Sequence, residues 1–204
     1  AVVQKVAYAI GKLGQFSLPI ICWYLVRRHR FRFSPPHRSA VLFGISFGVV
    51  ISAVMLIAYF YVVRSAPWMI SAAATVRHKM VELSLDQAGP FVALSVYYSI
   101  VHSLLEEYYW RWFVFGQLRC RLPSVAAILI SAIGFMAHHV VILGTYVGWD
   151  SPATYLGSAC VAIGGVVWAW LYDRTGSLYA TWLSHLLIDA AIFAIGFDML
   201  GSAL

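Results

Sequence analysis

Residues 40–63 run for 24 positions without one charged side chain. A helix needs about 20 apolar residues to cross the hydrocarbon core of a bilayer. A backbone in lipid must also satisfy its own hydrogen bonds, which favours helices for such a stretch. Five further segments have comparable apolar length: residues 6–26, 90–118, 123–147, 153–172 and 177–200. The expected fold is therefore all-α, a polytopic transmembrane helix bundle of about six spans. Composition agrees. The 204-residue chain is 62% hydrophobic and only 11% charged, against about a quarter charged in soluble domains. That leaves too few charges to coat a water-facing surface.

The breaks between spans are polar or contain proline. Arg27-Arg28-His29-Arg30-Phe31-Arg32, followed by Pro35-Pro36, closes the first. Residues 65–89 mix Trp68, Met69 and Ile70 with Arg77, Lys79, Glu82 and Asp86. That pattern predicts one amphipathic helix lying on the membrane interface. Turns are expected at 119–123, 148–152 and 173–176. There is no internal repeat and no low-complexity linker, so residues 1–204 read as a single integral membrane domain. The first span is too long for a clear signal peptide. Cys22, Cys120 and Cys160 form no C-x-x-C pattern and read as packing residues.

The net charge of +6 could suggest nucleic acid in a soluble protein. Here the basic residues flank apolar spans, so the expected partner is lipid and not nucleic acid. One side of the membrane would hold Arg27, Arg28, Arg30, Arg32, Arg38, Arg119, Arg121 and Arg174. The other would hold Lys5, Arg64, Arg77 and Lys79, with Lys12 near the start of its span. The positive-inside rule then places the basic loops 27–38, 119–121 and 174 in the cytoplasm.

A charge at the centre of a bilayer costs roughly 2.5–3.5 kcal/mol on insertion scales. This chain concentrates that cost in three spans. The first of these holds His102, Glu106, Glu107 and Arg111. Glu107 and Arg111 are four apart, share a helix face and can pair. Glu106 points about 100° away and has no local cation, which makes it a candidate general base. The second holds His138 and His139. Glu106 lies 15 residues before Arg121, and His139 lies 16 after Pro123. Both therefore sit roughly 22–24 Å up two antiparallel helices from one turn, level with each other and able to share a water. The third holds His185 and Asp189, again four apart on one face. His102, four before Glu106, is a supporting residue. Asp198 is expected at the interface, and His29, His37 and His78 fall in polar segments.

Together the three elements resemble the CAAX-prenyl endoprotease and bacteriocin-processing (CPBP, or Abi) family of intramembrane proteases. That family carries E-E-x-x-x-R, then F-x-x-x-H, then H-x-x-x-N or H-x-x-x-D on separate helices. Glu106, Glu107 and Arg111 match the first, Phe135 and His139 the second, and His185 and Asp189 the third in its Asp form. Thr175-Gly176-Ser177-Leu178 also looks familial, and the motifs fall within residues 90–189. The resemblance implies an intramembrane endopeptidase in which Glu106 activates water and His139 helps to hold it. His185 and Asp189 would stabilise the oxyanion. Glu107, Arg111, His138 and His102 would support them. Asp189 departs from the Asn version, because an ionised carboxylate repels an oxyanion; it must be protonated, or orient His185 instead.

The resemblance also implies a cell membrane, in a prokaryote, as the location. Substrates would be membrane-associated or lipidated peptides: prenylated tails, leader peptides or membrane-protein loops. The glutamate mechanism requires no cofactor. A divalent metal such as zinc could be held by Glu106, His139, His185 and Asp189, although H-E-x-x-H spacing is lacking. Two other readings stay open: a transporter or proton-relay bundle, and a catalytically silent scaffold or immunity factor of the same fold.

Overall fold

The computed structural model describes residues 2–22, 24 and 38–201. The basic segment with Arg27, Arg28, His29, Arg30, Arg32 and His37, its Pro35-Pro36 break, and the side chain of Lys5 lie outside the described residues. Seven helical stretches carry the described chain: α1 (Val2–Cys22), α2 (Arg38–Val63), α3 (Pro67–Glu82), α4 (Ala88–Arg119), α5 (Ser124–Tyr146), α6 (Pro152–Thr175) and α7 (Leu178–Leu200). Helices α2, α4, α5, α6 and α7 are long and apolar enough to cross a membrane, while α1 carries the shorter apolar stretch Ile10–Cys22.

Local chemistry sets the helix ends. Pro67 opens α3 after extended Ala66, where its missing N–H costs nothing. The Ser151 side chain caps α6 by accepting the Ala153 N–H at 3.3 Å, just ahead of Pro152. Gly176 ends α6 at φ 63°, a left-handed conformation that glycine adopts without penalty.

The polarity of the bundle is inverted relative to a soluble protein. Leu42, Val49, Val50, Val54 and Ile57 of α2 and Leu129, Ile130 and Ile133 of α5 face outward. Ser103, Glu107, Arg111, Ser131, Thr181 and Ser184 are fully covered. This is the arrangement lipid demands: the apolar face meets its solvent and polar groups find partners inside.

Small residues let the helices close up. Helix α2 packs along α7, and α5 along α6. At the first seam, Gly44 and Gly48 lie against the backbone of Ala180 and Ser184. At the second, a Cβ on Gly165 would meet Ala132 and Phe135 at 3.3 Å.

Within residues 65–89, where an amphipathic interfacial helix is expected, the chain forms α3. This helix buries Ala72 and Met80, and Met80 packs with Phe91 and Leu200. Arg77 Nη2 donates to the carbonyl of Met199 at 3.0 Å. Lys79 donates to Glu82 at 2.9 Å, which holds that exposed carboxylate below its usual range. At the same end Asp198 accepts from Arg64 at 2.8 and 2.9 Å and from Tyr59 at 2.7 Å. Arg119 pairs with Asp173 at 3.0 Å at the opposite end. Charges thus collect at the two ends of the bundle, apart from one interior cluster.

Candidate active site inside the bundle

Helix α4 winds irregularly around that cluster. One α-helical turn, Ser103–Glu107, sits between two π-helical stretches, Tyr98–His102 and Tyr108–Phe115. Wide turns leave carbonyls free for outside donors and recur at functional sites. The carbonyl of Ile100 accepts the Trp182 indole N–H of α7 at 3.0 Å. The carbonyl of Trp110 accepts from Ser131 of α5 at 3.4 Å. The widened helix is thereby tied to both helices that bring histidines.

Glu107 and Arg111 form the expected pair, with Nε 3.2 Å from Oε2 and both side chains fully buried. The other oxygen of Glu107 lies 3.0 Å from His185 Nδ1. The Arg111 guanidinium lies over the rings of Phe135 and Trp168, 4.8 and 5.6 Å from their centroids. His185 stacks on Trp168 at 4.2 Å and 17°, and Trp168 donates its indole N–H to Ser184 Oγ at 3.0 Å. One ion pair therefore joins α4, α5, α6 and α7.

Glu106 is 2% exposed and surrounded by imidazoles. Its Oε1 is 3.7 Å from His138 Nε2 and 3.9 Å from His102 Nδ1, and its Oε2 is 3.8 Å from His185 Nε2. Oε1 has no hydrogen-bond partner among the described residues. Glu106 and Glu107, about 100° apart on a regular helix, thus address opposite nitrogens of one ring. His185 Nε2 also lies 3.5 Å from Asp189 Oδ1, so the i, i+4 spacing does place the two together.

His139 is fixed by its own helix, with Nδ1 2.9 Å from the carbonyl of Phe135. A carbonyl only accepts, so Nδ1 carries the hydrogen and Nε2 keeps its lone pair. Ligand atoms of Glu106, His138 and His139 lie within 4.8 Å of one another. The levels of Glu106 and His139 thus coincide, as the turn arithmetic predicts. This trio is also the metal-ligand grouping found among the described residues. It differs from the sequence expectation of Glu106, His139, His185 and Asp189. His138 enters the group, while His185 stands outside it, set between Glu107 at 3.0 Å, Asp189 at 3.5 Å and Glu106 at 3.8 Å. The anchoring of His139 Nδ1 on a carbonyl is the kind of outer support that metal-bound histidines use, so the donor chemistry is compatible with a divalent ion.

Two neighbours were not foreseen from sequence. Trp168, the stacking partner of His185, carries no signal that separates it from an interfacial tryptophan. Lys12 of α1, counted above only as a flanking charge, has Nζ 3.2 Å from His102 Nε2. Its signal was its position inside an apolar stretch, where an ammonium needs a partner.

The fold and site define a polytopic membrane protein with a buried glutamate–histidine centre built from three helices, α4, α5 and α7, and backed by Trp168 of α6. A family model described as type II CAAX prenyl endopeptidase Rce1-like matches residues 88–191, from the first turn of α4 into α7. Neither a curated protein nor a solved structure matches the chain. The chain belongs to the type II CAAX prenyl endopeptidase Rce1-like family. It is an integral membrane protein of a CAAX-type protease family, and peptide-bond hydrolysis is the chemistry of that family.

Proposed function

We propose that this protein is an intramembrane endopeptidase that hydrolyses peptide bonds of membrane-associated or lipidated substrates with a water activated by Glu106. The observation that carries the reading is Glu106 itself: a buried carboxylate with an oxygen unpartnered among the described residues, beside an imidazole whose free lone pair faces the same space. A water there gives one proton to Glu106 and a hydrogen bond to His139 Nε2, and its oxygen lone pair attacks the scissile carbonyl carbon. The resulting oxyanion accepts from Nε2–H of His185 in its imidazolium form, whose Nδ1–H stays on Glu107. Collapse of the intermediate breaks the C–N bond as Glu106 returns the proton to the leaving nitrogen.

Glu107 fixes the Nδ1 side of His185, and Arg111 balances Glu107. Asp189 orients His185 from 3.5 Å, a role that suits Asp where the family pattern also allows Asn. Prenylated tails, leader peptides and membrane-protein loops are the candidate substrates. The Arg119, Arg121 and Arg174 end would face the cytoplasm of a prokaryotic cell. No metal takes part in this sequence of steps; an ion on Glu106, His138 and His139 would compete with the water for the base.

The test is cleavage of a prenylated, fluorogenic peptide by the purified protein in detergent, alongside Glu106→Gln. The variant keeps size and shape, and matched thermal unfolding verifies its fold. Removing a general base lowers kcat by about 10²–10⁴-fold. Equal cleavage by the two proteins would sink the role of Glu106. Absence of cleavage together with proton flux in liposomes would favour the proton-relay reading.

A further inference from the structure

We propose that Lys12 of α1 is a positioning residue for this centre: it sets the tautomer of His102 so that the His102 N–H is presented to Glu106. The proposal rests on the reading of Glu106 as the reacting base. The ammonium of Lys12 lies 3.2 Å from His102 Nε2. An ammonium only donates, so Nε2 must accept and the ring hydrogen resides on Nδ1. That nitrogen faces Glu106 Oε1 at 3.9 Å, one turn along α4. The separation is too long for a good hydrogen bond, so the N–H acts as an oriented dipole on the carboxylate.

The ring cannot easily turn away. Tyr98 lies against it with centroids 4.6 Å apart, and Phe16 of α1 meets it edge-on at 6.2 Å. Lys12 itself sits 5.4 Å from the centroid of the Phe16 ring. Helix α1 thus supplies both the donor and part of the clamp. With the opposite tautomer, His102 would turn a lone pair toward Glu106 and repel the carboxylate. Helix α1 lies outside the matched residues 88–191, and none of the three motifs contains Lys12, Phe16 or His102.

Two measurements test this on the whole protein in detergent. The first is ¹⁵N NMR of histidine-labelled protein, with the His102 ring signals assigned by their loss in His102→Ala. Wild type should show protonated Nδ1 and bare Nε2 at His102. Lys12→Met should lose that preference and Lys12→Arg should keep it. The second is peptide cleavage: Lys12→Met should lower kcat by about tenfold with KM unchanged, and Lys12→Arg should restore most of it. The Lys12→Met/His102→Ala double variant should be no slower than His102→Ala alone. A His102 tautomer indifferent to Lys12, or a kcat unchanged in well-folded Lys12→Met, would overturn the proposal. Because the NMR arm needs no turnover, a wild type that cleaves nothing would refute the hydrolysis reading separately, and the tautomer would still decide whether Lys12 governs His102.

Discussion

Arg111→Met asks how much the interior ion pair holds together. The substitution removes the charge and keeps an unbranched apolar chain. In the wild type, Arg111 Nε is 3.2 Å from Glu107 Oε2 with neither side chain exposed, and the guanidinium lies over Phe135 and Trp168. Breaking a fully buried pair costs about 3–5 kcal/mol when the remaining charge is left without a partner, and here Glu107 keeps only His185 at 3.0 Å. Nη1 and Nη2 have no hydrogen-bond partner among the described residues, so the pair is monodentate and the expected loss is near the lower bound, about 3 kcal/mol. That is a large share of a stability of about 5–15 kcal/mol. The double variant Glu107→Gln/Arg111→Met has no orphan charge, and the amide carbonyl introduced at position 107 can still accept from His185. It should lose only about 1–2 kcal/mol, the cost of an imperfect buried polar contact. The assay is denaturant or thermal unfolding in detergent for wild type, both single variants and the double. Additive losses, or an Arg111→Met as stable as wild type, would refute the view that the pair is held by mutual neutralisation and not by packing.

Two further outcomes follow from the geometry. Gly44→Leu should destabilise the protein by about 3 kcal/mol or more, because its Cβ would collide with the carbonyl of Ala180, a backbone atom that cannot swing aside. Gly14→Leu, whose Cβ meets open space, should change stability by under about 0.5 kcal/mol; equal melting temperatures for the two variants would contradict the tight α2–α7 seam. At the site, His139→Ala should slow cleavage about 10²-fold or more, in the range for a group that positions the reacting water. His138→Ala should slow it far less, because no hydrogen bond among the described residues fixes the His138 ring, whereas His139 is anchored on Phe135. Steady-state kcat for the two variants checks the order, and a slower His138→Ala would reverse the assignment.

Much of this architecture is written in the sequence because lipid makes a simple demand. An apolar run must be long enough to cross, and its ends must be polar. Residues 40–63 and 123–147 therefore predict α2 and α5 to within a few residues. The same regularity makes depth computable. Counting from the turn at 119–123 puts Glu106 and His139 at one level, and their ligand atoms do fall within 4.8 Å. Contacts within one helix are legible for the same reason, as with Glu107–Arg111 and His185–Asp189.

Rotation about each helix axis is what the residues do not reveal. A helix with few polar side chains, like α5 or α7, gives periodicity little to point with. The sequence therefore cannot say that His138 turns toward Glu106 along with His139, or that His185 turns its Nδ1 to Glu107. The structure settles rotation with small residues and large rings. Gly44 and Gly48 let α7 approach α2 and so fix the face that carries Ala180 and Ser184. Ser184 holds the indole of Trp168, and that indole holds His185 flat against it. The aim of a central imidazole is thus determined two contacts away, at a glycine seam with no chemistry of its own. For that reason Gly44→Leu should disturb His185 as well as stability.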